Sequence, residues 1–269
     1  MLASRQINTS TNYYEPFSGE QYTQELLFSY QISGKLMVDD DGHVQEFLAG
    51  SFRLVRKNRL LKYCKQPSKT SPYISLSVAF RTEMLRSFAD AHGYHPRYRI
   101  RSPSVIKLKK LPLYEAHAKS LQAFNEVDEI ANAELIQIKI KETLLILLKE
   151  QPELQDVIFD FSEPVKTDIS RFMQENFRYN LPLSRFAYLS GRSLAAYKRD
   201  FEKVFQTSPG KWLLDRRLEE ADRILKTTNK KSTEIYLSLG FEDLSHFSRA
   251  FKNKYGIPPS KVLIHKTSS

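Results

Sequence analysis

The strongest constraint on this chain is that one segment of it is written twice. Tyr197-Lys198-Arg199-Asp200-Phe201-Glu202-Lys203-Val204-Phe205 lies over Phe247-Ser248-Arg249-Ala250-Phe251-Lys252-Asn253-Lys254-Tyr255 with its aromatics and one Arg in register. Pro209 follows Phe205 at the same interval as Pro259 follows Tyr255, and Lys211 and Leu213 match Lys261 and Leu263. Upstream, Leu189-Ser190-Gly191 matches Ser238-Leu239-Gly240, with one extra residue in the second turn. An internal repeat limits the fold more than any local propensity, because both copies must satisfy one supersecondary design.

Each copy predicts a helix, a glycine turn and a second helix. The first helices, Ser184 to Leu189 and Thr233 to Leu239, end at Gly191 and Gly240. Glycine tolerates the left-handed backbone that closes such a turn. Ser193 and Asp243 then stand where an N-cap is needed. In the second helices Tyr197, Phe201 and Phe205, or Phe247, Phe251 and Tyr255, recur every four residues and form one buried face. Ala195, Lys198, Arg199 and Lys203 are left on the open face of one; Ser245, His246, Ser248, Arg249 and Lys252 on the other. Short polar side chains with an Arg on an exposed helix suit base edges in a major groove. Ser208-Pro209 predicts the start of a connecting helix, Gly210 to Leu225, with Trp212, Leu213, Leu218, Ala221, Ile224 and Leu225 inward.

The run Gly240-Phe241-Glu242-Asp243, then Phe247-Ser248-Arg249-Ala250-Phe251-Lys252, then Gly256-Ile257-Pro258-Pro259-Ser260 resembles the C-terminal DNA-binding domain of the AraC/XylS family of bacterial transcription regulators. The resemblance spans about Val165 to Leu263. It implies two helix-turn-helix units joined by a long helix, reading adjacent major-groove segments of double-stranded DNA. By position it puts the base-reading role on Ala195, Lys198 and Arg199 in the first unit, and on Leu244, Ser245, His246, Ser248 and Arg249 in the second. Leu194-Ala195-Ala196 departs from the richer pattern and offers apolar contacts only. Lys203, Lys252 and Lys254 are the expected phosphate contacts, against the alternative of a merely solvated face. The family also implies a cupin-like N-terminal β-barrel with a small-molecule or protein effector, self-association as a homodimer, RNA polymerase as a partner, and a bacterial cytoplasmic, nucleoid-associated setting.

Charge supports a polyanion partner. The 269 residues carry a formal net charge of +10, and from Asp160 onward 20 Lys+Arg stand against 13 Asp+Glu. Cys64 is the single cysteine, so no intramolecular disulfide forms and a reducing compartment is expected. No apolar run predicts a signal peptide or a membrane span. A cupin-type enzyme is the competing class, but His43, His92 and His95 form no His-x-His pair, and no catalytic residue, metal or cofactor is expected. Cys64 as an alkyl-accepting nucleophile of a DNA-repair regulator lacks a neighbouring Cys cluster; a buried structural thiol is the alternative.

The N-terminal half reads as β. Runs at Leu26 to Ile32, Lys35 to Val38, Val44 to Leu48, Ser51 to Arg56, Leu60 to Cys64 and Tyr73 to Phe80 are separated by Gly and Asp turns, with a hairpin signal at Asp39-Asp40-Asp41-Gly42. These predict a sandwich or barrel. Phe28, Tyr30, Phe52, Leu54 and Tyr63 are read as inward, lining either a ligand pocket or plain core. Residues before about 20 are expected to be loose. Thr82 to His92 predicts a helix. The basic stretch Arg97, Arg99, Arg101, Lys107, Lys109 and Lys110 reads as a solvated edge or a second DNA contact. Glu115 to Glu150 has apolar residues on several helical faces, which calls for packing on the β-domain, self-association or both. The expected organisation is α+β and multidomain: a β regulatory domain at 1–114, a helical segment at 115–150, a linker at 151–164 bracketed by Pro152 and Pro164, and an all-α DNA-binding domain at 165–269.

Overall fold

The computed structural model describes residues 5–40, 42–95, 103–124, 127–128 and 131–262. Asp41 of the hairpin turn, Arg97, Arg99 and Arg101 of the basic stretch, and Leu263 of the repeat lie outside them. The chain divides into two compact units, Met1–Ser162 and Glu163–Ser269.

Among its described residues the first unit is built on nine strands: β1 (Ile7–Asn12), β2 (Phe17–Thr23), β3 (Leu26–Ser33), β4 (Lys35–Asp40), β5 (His43–Leu48), β6 (Phe52–Val55), β7 (Arg59–Gln66), β8 (Tyr73–Phe80) and β9 (Val105–Leu108). They make a five-stranded sheet ordered β1-β8-β3-β6-β9 and a four-stranded sheet ordered β2-β7-β4-β5. All pairings are antiparallel. Leu27, Val55, Tyr73 and Val105 of the first sheet meet Leu36, Val38, Phe47 and Leu61 of the second in a shared apolar cluster. That is a sandwich.

Strand parity decides which side chains reach the space between the sheets. β3 pairs β6 with Leu27 opposite Val55 and Phe28 opposite Leu54. Leu27, Ser29, Arg53 and Val55 therefore face the second sheet. Phe28, Tyr30, Phe52 and Leu54 face the other way, into a core shared with α1 (Thr82–His92), α2 (Pro112–Gln122) and α3 (Ala133–Glu150). Phe52 stacks on Tyr30 at 4.7 Å and meets Tyr114 of α2 at 5.6 Å. Four of the five expected pocket residues are thus helix-facing core. Tyr63 alone lines the intersheet cavity. For those four the plain-core alternative holds, and the ligand-pocket alternative misses by one residue of register, which reverses every side chain of a strand.

Two strands were not legible. β1 and β2 fall in the stretch expected to be loose. β1 is polar, with only Ile7 fully buried, and is ordered by pairing with β8. The expected linker also changes character. Pro152–Leu154 form a 3-10 turn and Gln155–Ile158 a short helix, α4. Leu154, Val157, Ile158 and Phe159 are buried in the first unit's core. Phe159 stacks on Tyr94 and Phe88 at 5.0 and 6.2 Å, and Asp160 pairs with Arg56 at 3.1 Å. Apolar burial outweighs the punctuation of the two prolines.

α3 buries Ile136, Ile140, Leu144, Leu147 and Leu148, while Leu135, Ile138 and Leu145 remain exposed on its other side. Lys109 and Lys110 of the basic stretch sit within 4.0 and 3.4 Å of Glu153 and Glu115, as an exposed, locally paired edge.

Among its described residues the second unit is all helix: α5 (Ile169–Asn176), α6 (Leu183–Leu189), α7 (Leu194–Phe205), α8 (Pro209–Thr227), α9 (Ser232–Ile235) and α10 (Leu244–Tyr255), with 3-10 turns at Leu237–Leu239 and Pro259–Lys261. The first helix of the second copy is therefore shorter than expected and finishes as 3-10.

Candidate nucleic-acid interface

The repeat becomes two helix-turn-helix units around α8. In each, the aromatic stripe fixes how the second helix sits. Tyr197 and Phe201 of α7 and Phe247 and Phe251 of α10 are fully buried, and Phe205 and Tyr255 are half-buried. Tyr197 Oη donates to Met173 Sδ at 3.0 Å, tying α7 to α5. Phe201 and Phe205 pack on Trp212 of α8 at 5.7 and 4.7 Å. The second stripe packs with Leu218, Ala221 and Leu225 of the same helix.

Both caps form. Ser193 Oγ accepts from the Ala196 N–H at 3.3 Å, and Asp243 Oδ1 from the His246 N–H at 2.6 Å. The paired turns share a second requirement. Gly191 and Gly240 have φ of +71° and +81°. A Cβ on Gly191 would overlap the Val165–Lys166 backbone. A Cβ on Gly240 would overlap the Arg178 carbonyl oxygen and reach within 2.8 Å of the Arg217 guanidinium. Glycine is needed there for space as well as for backbone sign.

The open faces carry the expected residues. On α7, Ala195, Lys198, Arg199 and Lys203 are exposed; on α10, Ser245, His246, Arg249 and Lys252 are exposed and Ser248 is half-buried. Leu244 is half-buried and packs against the apolar core beneath α10. Arg199 lies 3.8 Å from Asp200, and its side chain keeps 67% of its exposure, so the pairing is loose. Lys254 differs. Its Nζ donates to the Asp215 carboxylate and carbonyl at 3.0 and 3.1 Å and to Glu219 at 3.2 Å. Burial disfavours its charge, but the bonds to Asp215 and Glu219 outweigh that and hold the ammonium above its ordinary value. It braces α10 against α8 rather than standing free for a phosphate.

Three supporting residues escaped sequence reading. Arg217, on α8, donates to the carbonyls of Phe177, Tyr179 and Gly240 at 2.8, 2.8 and 2.9 Å. Glu220, 4% exposed, accepts from Arg178 at 2.6 Å and from Arg223 at 2.7 and 3.0 Å. The Arg223 bonds, with those of Arg178 and against the opposing effect of burial, bring its carboxyl down to about 2. Arg192 donates to the Ser190 carbonyl at 2.7 Å and to Asp200 at 3.1 Å, clamping the first turn to α7. The Arg192 bond, with Lys166 and Arg199 nearby, holds the Asp200 carboxyl below its usual range. These residues sit at helical spacings otherwise read as solvated charge. Their one sequence trace is a charged residue next to an apolar stripe.

Two family models match in tandem. Residues 184–263 match the helix-turn-helix domain, and residues 27–157 match the ExsA N-terminal regulatory domain. The thermoregulatory protein LcrF of Yersinia pestis is 23% identical over 257 residues, covering 94% of each chain. These matches support an AraC-family transcription regulator. The chain is also 23% identical over 232 residues to the HTH-type transcriptional regulator ExsA of Pseudomonas aeruginosa, covering 86% of this chain and 83% of that one. Among solved structures, apo ToxT from Vibrio cholerae aligns over 95% of both chains at 13% identity and a TM-score of 0.48. With a helix-turn-helix domain matched and relatives of near full length named as regulators, the protein is a helix-turn-helix transcription regulator. Among the described residues no helix is long and apolar enough to cross a membrane.

Proposed function

We propose that the second unit binds operator DNA with α7 and α10 in successive major-groove segments, and that the first unit controls that binding. The observation that carries this is the pairing of two like-built helices whose aromatic faces are buried and whose Arg-bearing faces are open. Ala195, Lys198 and Arg199 read bases from α7, the Ala by apolar contact. Ser245, His246, Ser248 and Arg249 read from α10. Leu244, largely spent on packing, shapes the first turn of that helix. Lys203 and Lys252 contact phosphates. Recognition helices one groove turn apart lie about 34 Å from each other, so modest bending of the duplex accompanies binding. The exposed apolar side of α3 (Leu135, Ile138, Leu145) supports self-association as a homodimer. RNA polymerase is the partner at the promoter, and the protein acts in the bacterial cytoplasm.

In vitro selection of bound duplexes followed by sequencing tests the reading and gives half-site spacing. An enriched site with two elements about one helical turn apart is expected. Arg249→Ala should cost about 1–3 kcal/mol and relax preference at one position. Unselective binding by the wild-type protein would overturn the assignment.

A further inference from the structure

Between the two sheets of the first unit lies a cavity of about 490 Å³, within the size class of small-ligand sites. Its chemistry is unusual for the inside of a β-sandwich. Arg53 of β6 projects into it while only 4% exposed. Its guanidinium donates to Gln31 Oε1 at 3.1 Å and lies 5.4 Å from the Phe47 ring centre. No carboxylate pairs with it among the described residues. Lys65 of β7 lines the same cavity; its Nζ donates to Ser10 Oγ at 2.7 Å and stands 5.1 and 5.6 Å from the rings of Tyr63 and Tyr73. It too has no carboxylate partner among the described residues. Burial, with the Arg53 charge adding to it, lowers the Lys65 ammonium below its ordinary value. Arg53 and Lys65, which with Arg5 are the cations lining this cavity, therefore oppose each other within it.

Around them are hydroxyls rather than acids. Ser29, Ser75 and Ser77 reach in from the first sheet, and Leu36, Val38 and Leu61 close part of the second. Glu25 is the one carboxylate among the described lining residues. Its charge is disfavoured by burial, and its opposing cation is Arg81. An enclosed cation without a counter-charge is costly, and proteins retain one where something compensates it. Neutral amide, hydroxyl and ring partners solvate Arg53 and Lys65 without neutralising them.

We infer that this intersheet cavity is a binding site for a small organic oxyanion, with the carboxylate or phosphate on Arg53 and Lys65 and the body against the serine hydroxyls and the Leu36–Leu61 wall. The class is an acid or phosphate ester of sugar size. Arg53 supplies a planar fork suited to two oxygens of one headgroup, and Lys65 a point charge. The inference names the kind of effector the first unit would sense. It rests on the control proposed above only for the consequence to DNA; binding stands without it.

The test is calorimetric unfolding and isothermal titration of the full chain with inorganic phosphate, citrate, glucose 6-phosphate and uncharged glucose, comparing wild type with Arg53→Met and Lys65→Met. Removing an unneutralised buried charge should leave the free variants folded and at least as heat-stable. At least one of the organic anions should raise the wild-type unfolding temperature, glucose should not, and affinity should fall at least about tenfold in each variant, the scale of a lost charge-assisted bond. Exchange protection on adding the anion should centre on β3, β6 and β7. Citrate and glucose 6-phosphate separate a carboxylate from a phosphate preference, and inorganic phosphate shows whether the organic body matters. An equal shift in wild type and Arg53→Met would place the anion on the basic second unit and overturn the site. So would no shift with any organic anion at millimolar concentration. Operator binding by the wild-type protein without anion is the control: if it persists while no organic anion binds the wild type, this inference falls and the DNA assignment stands.

Discussion

Gly240→Ala and Gly256→Ala separate the cost of backbone sign from the cost of space. Both glycines have positive φ, +81° and +76°. A Cβ on Gly256 meets nothing within 4 Å. That substitution should cost only the left-handed penalty for an L-residue, about 1 kcal/mol, partly offset by a less flexible unfolded chain. On Gly240 the same Cβ overlaps the Arg178 carbonyl oxygen and closes to 2.8 Å on Arg217 Cζ. Arg217 cannot retreat without loosening its bonds to the Phe177, Tyr179 and Gly240 carbonyls. Overpacking adds about 1–3 kcal/mol, and weakening one charged hydrogen bond adds a comparable amount, so with the backbone term the total comes to about 3–7 kcal/mol. Trp212 is the only tryptophan and lies in the second unit, so its fluorescence during urea unfolding reports that unit alone. Two variants within about 1 kcal/mol of each other would refute the spatial argument, because the backbone term is common to both. Operator affinity should fall with Gly240→Ala and persist with Gly256→Ala.

Three further outcomes are expected. Glu220 has a folded carboxyl near 2 against an ordinary 4.5. Its stabilisation is therefore whole above pH 4.5 and lost as pH falls toward 2. Allowing for the solvent exposure of Arg178 and Arg223, it amounts to about 2 kcal/mol. Acid titration of Trp212 fluorescence should show Glu220→Gln losing less stability over that window than wild type, and parallel curves would remove the effect. Gln206 ends α7 at φ +54°, where the second copy has Gly256; Gln206→Gly should raise stability by about 0.5–1 kcal/mol in urea unfolding, and a loss would contradict the strain argument. Lys252→Ala should lower the salt slope of operator binding by about 0.9, whereas Lys254→Ala should leave the slope and cost stability; equal slope changes would return Lys254 to the phosphate set.

The second unit was largely legible because its information is local and stated twice. The caps, the aromatic stripes and the two turn glycines each follow from neighbours a few residues away, and each copy checks the other. The residues that were not legible act across the chain. Arg217 is read as solvated charge until its three carbonyls, about forty residues upstream for two of them and 23 downstream for the third, are in place. Lys254 looks like any exposed cation on a basic helix until Asp215 and Glu219 face it. In the first unit, runs such as Leu26–Ser33 announce a strand but not which side is inward, since Leu27 and Phe28 are both apolar. A cationic Arg53 in the next strand pointed the other way, toward solvent by ordinary expectation; only the second sheet makes that side an interior. β1 and the segment from Pro152 to Phe159 are ordered by what they pair with or pack on, which no local pattern records.

The shared helix α8 carries a consequence for how such a regulator changes its target. Its early turn holds one copy through Trp212 and its later turns hold the other through Leu218, Ala221 and Leu225. One residue inserted between them would swing the second copy about 100° around the helix axis and displace it by about 1.5 Å. Operators with a different gap are therefore reached not by gradual lengthening but in jumps of whole helical turns, and single-residue insertions there should be nearly always silent as regulators, whatever bases their helices could still read.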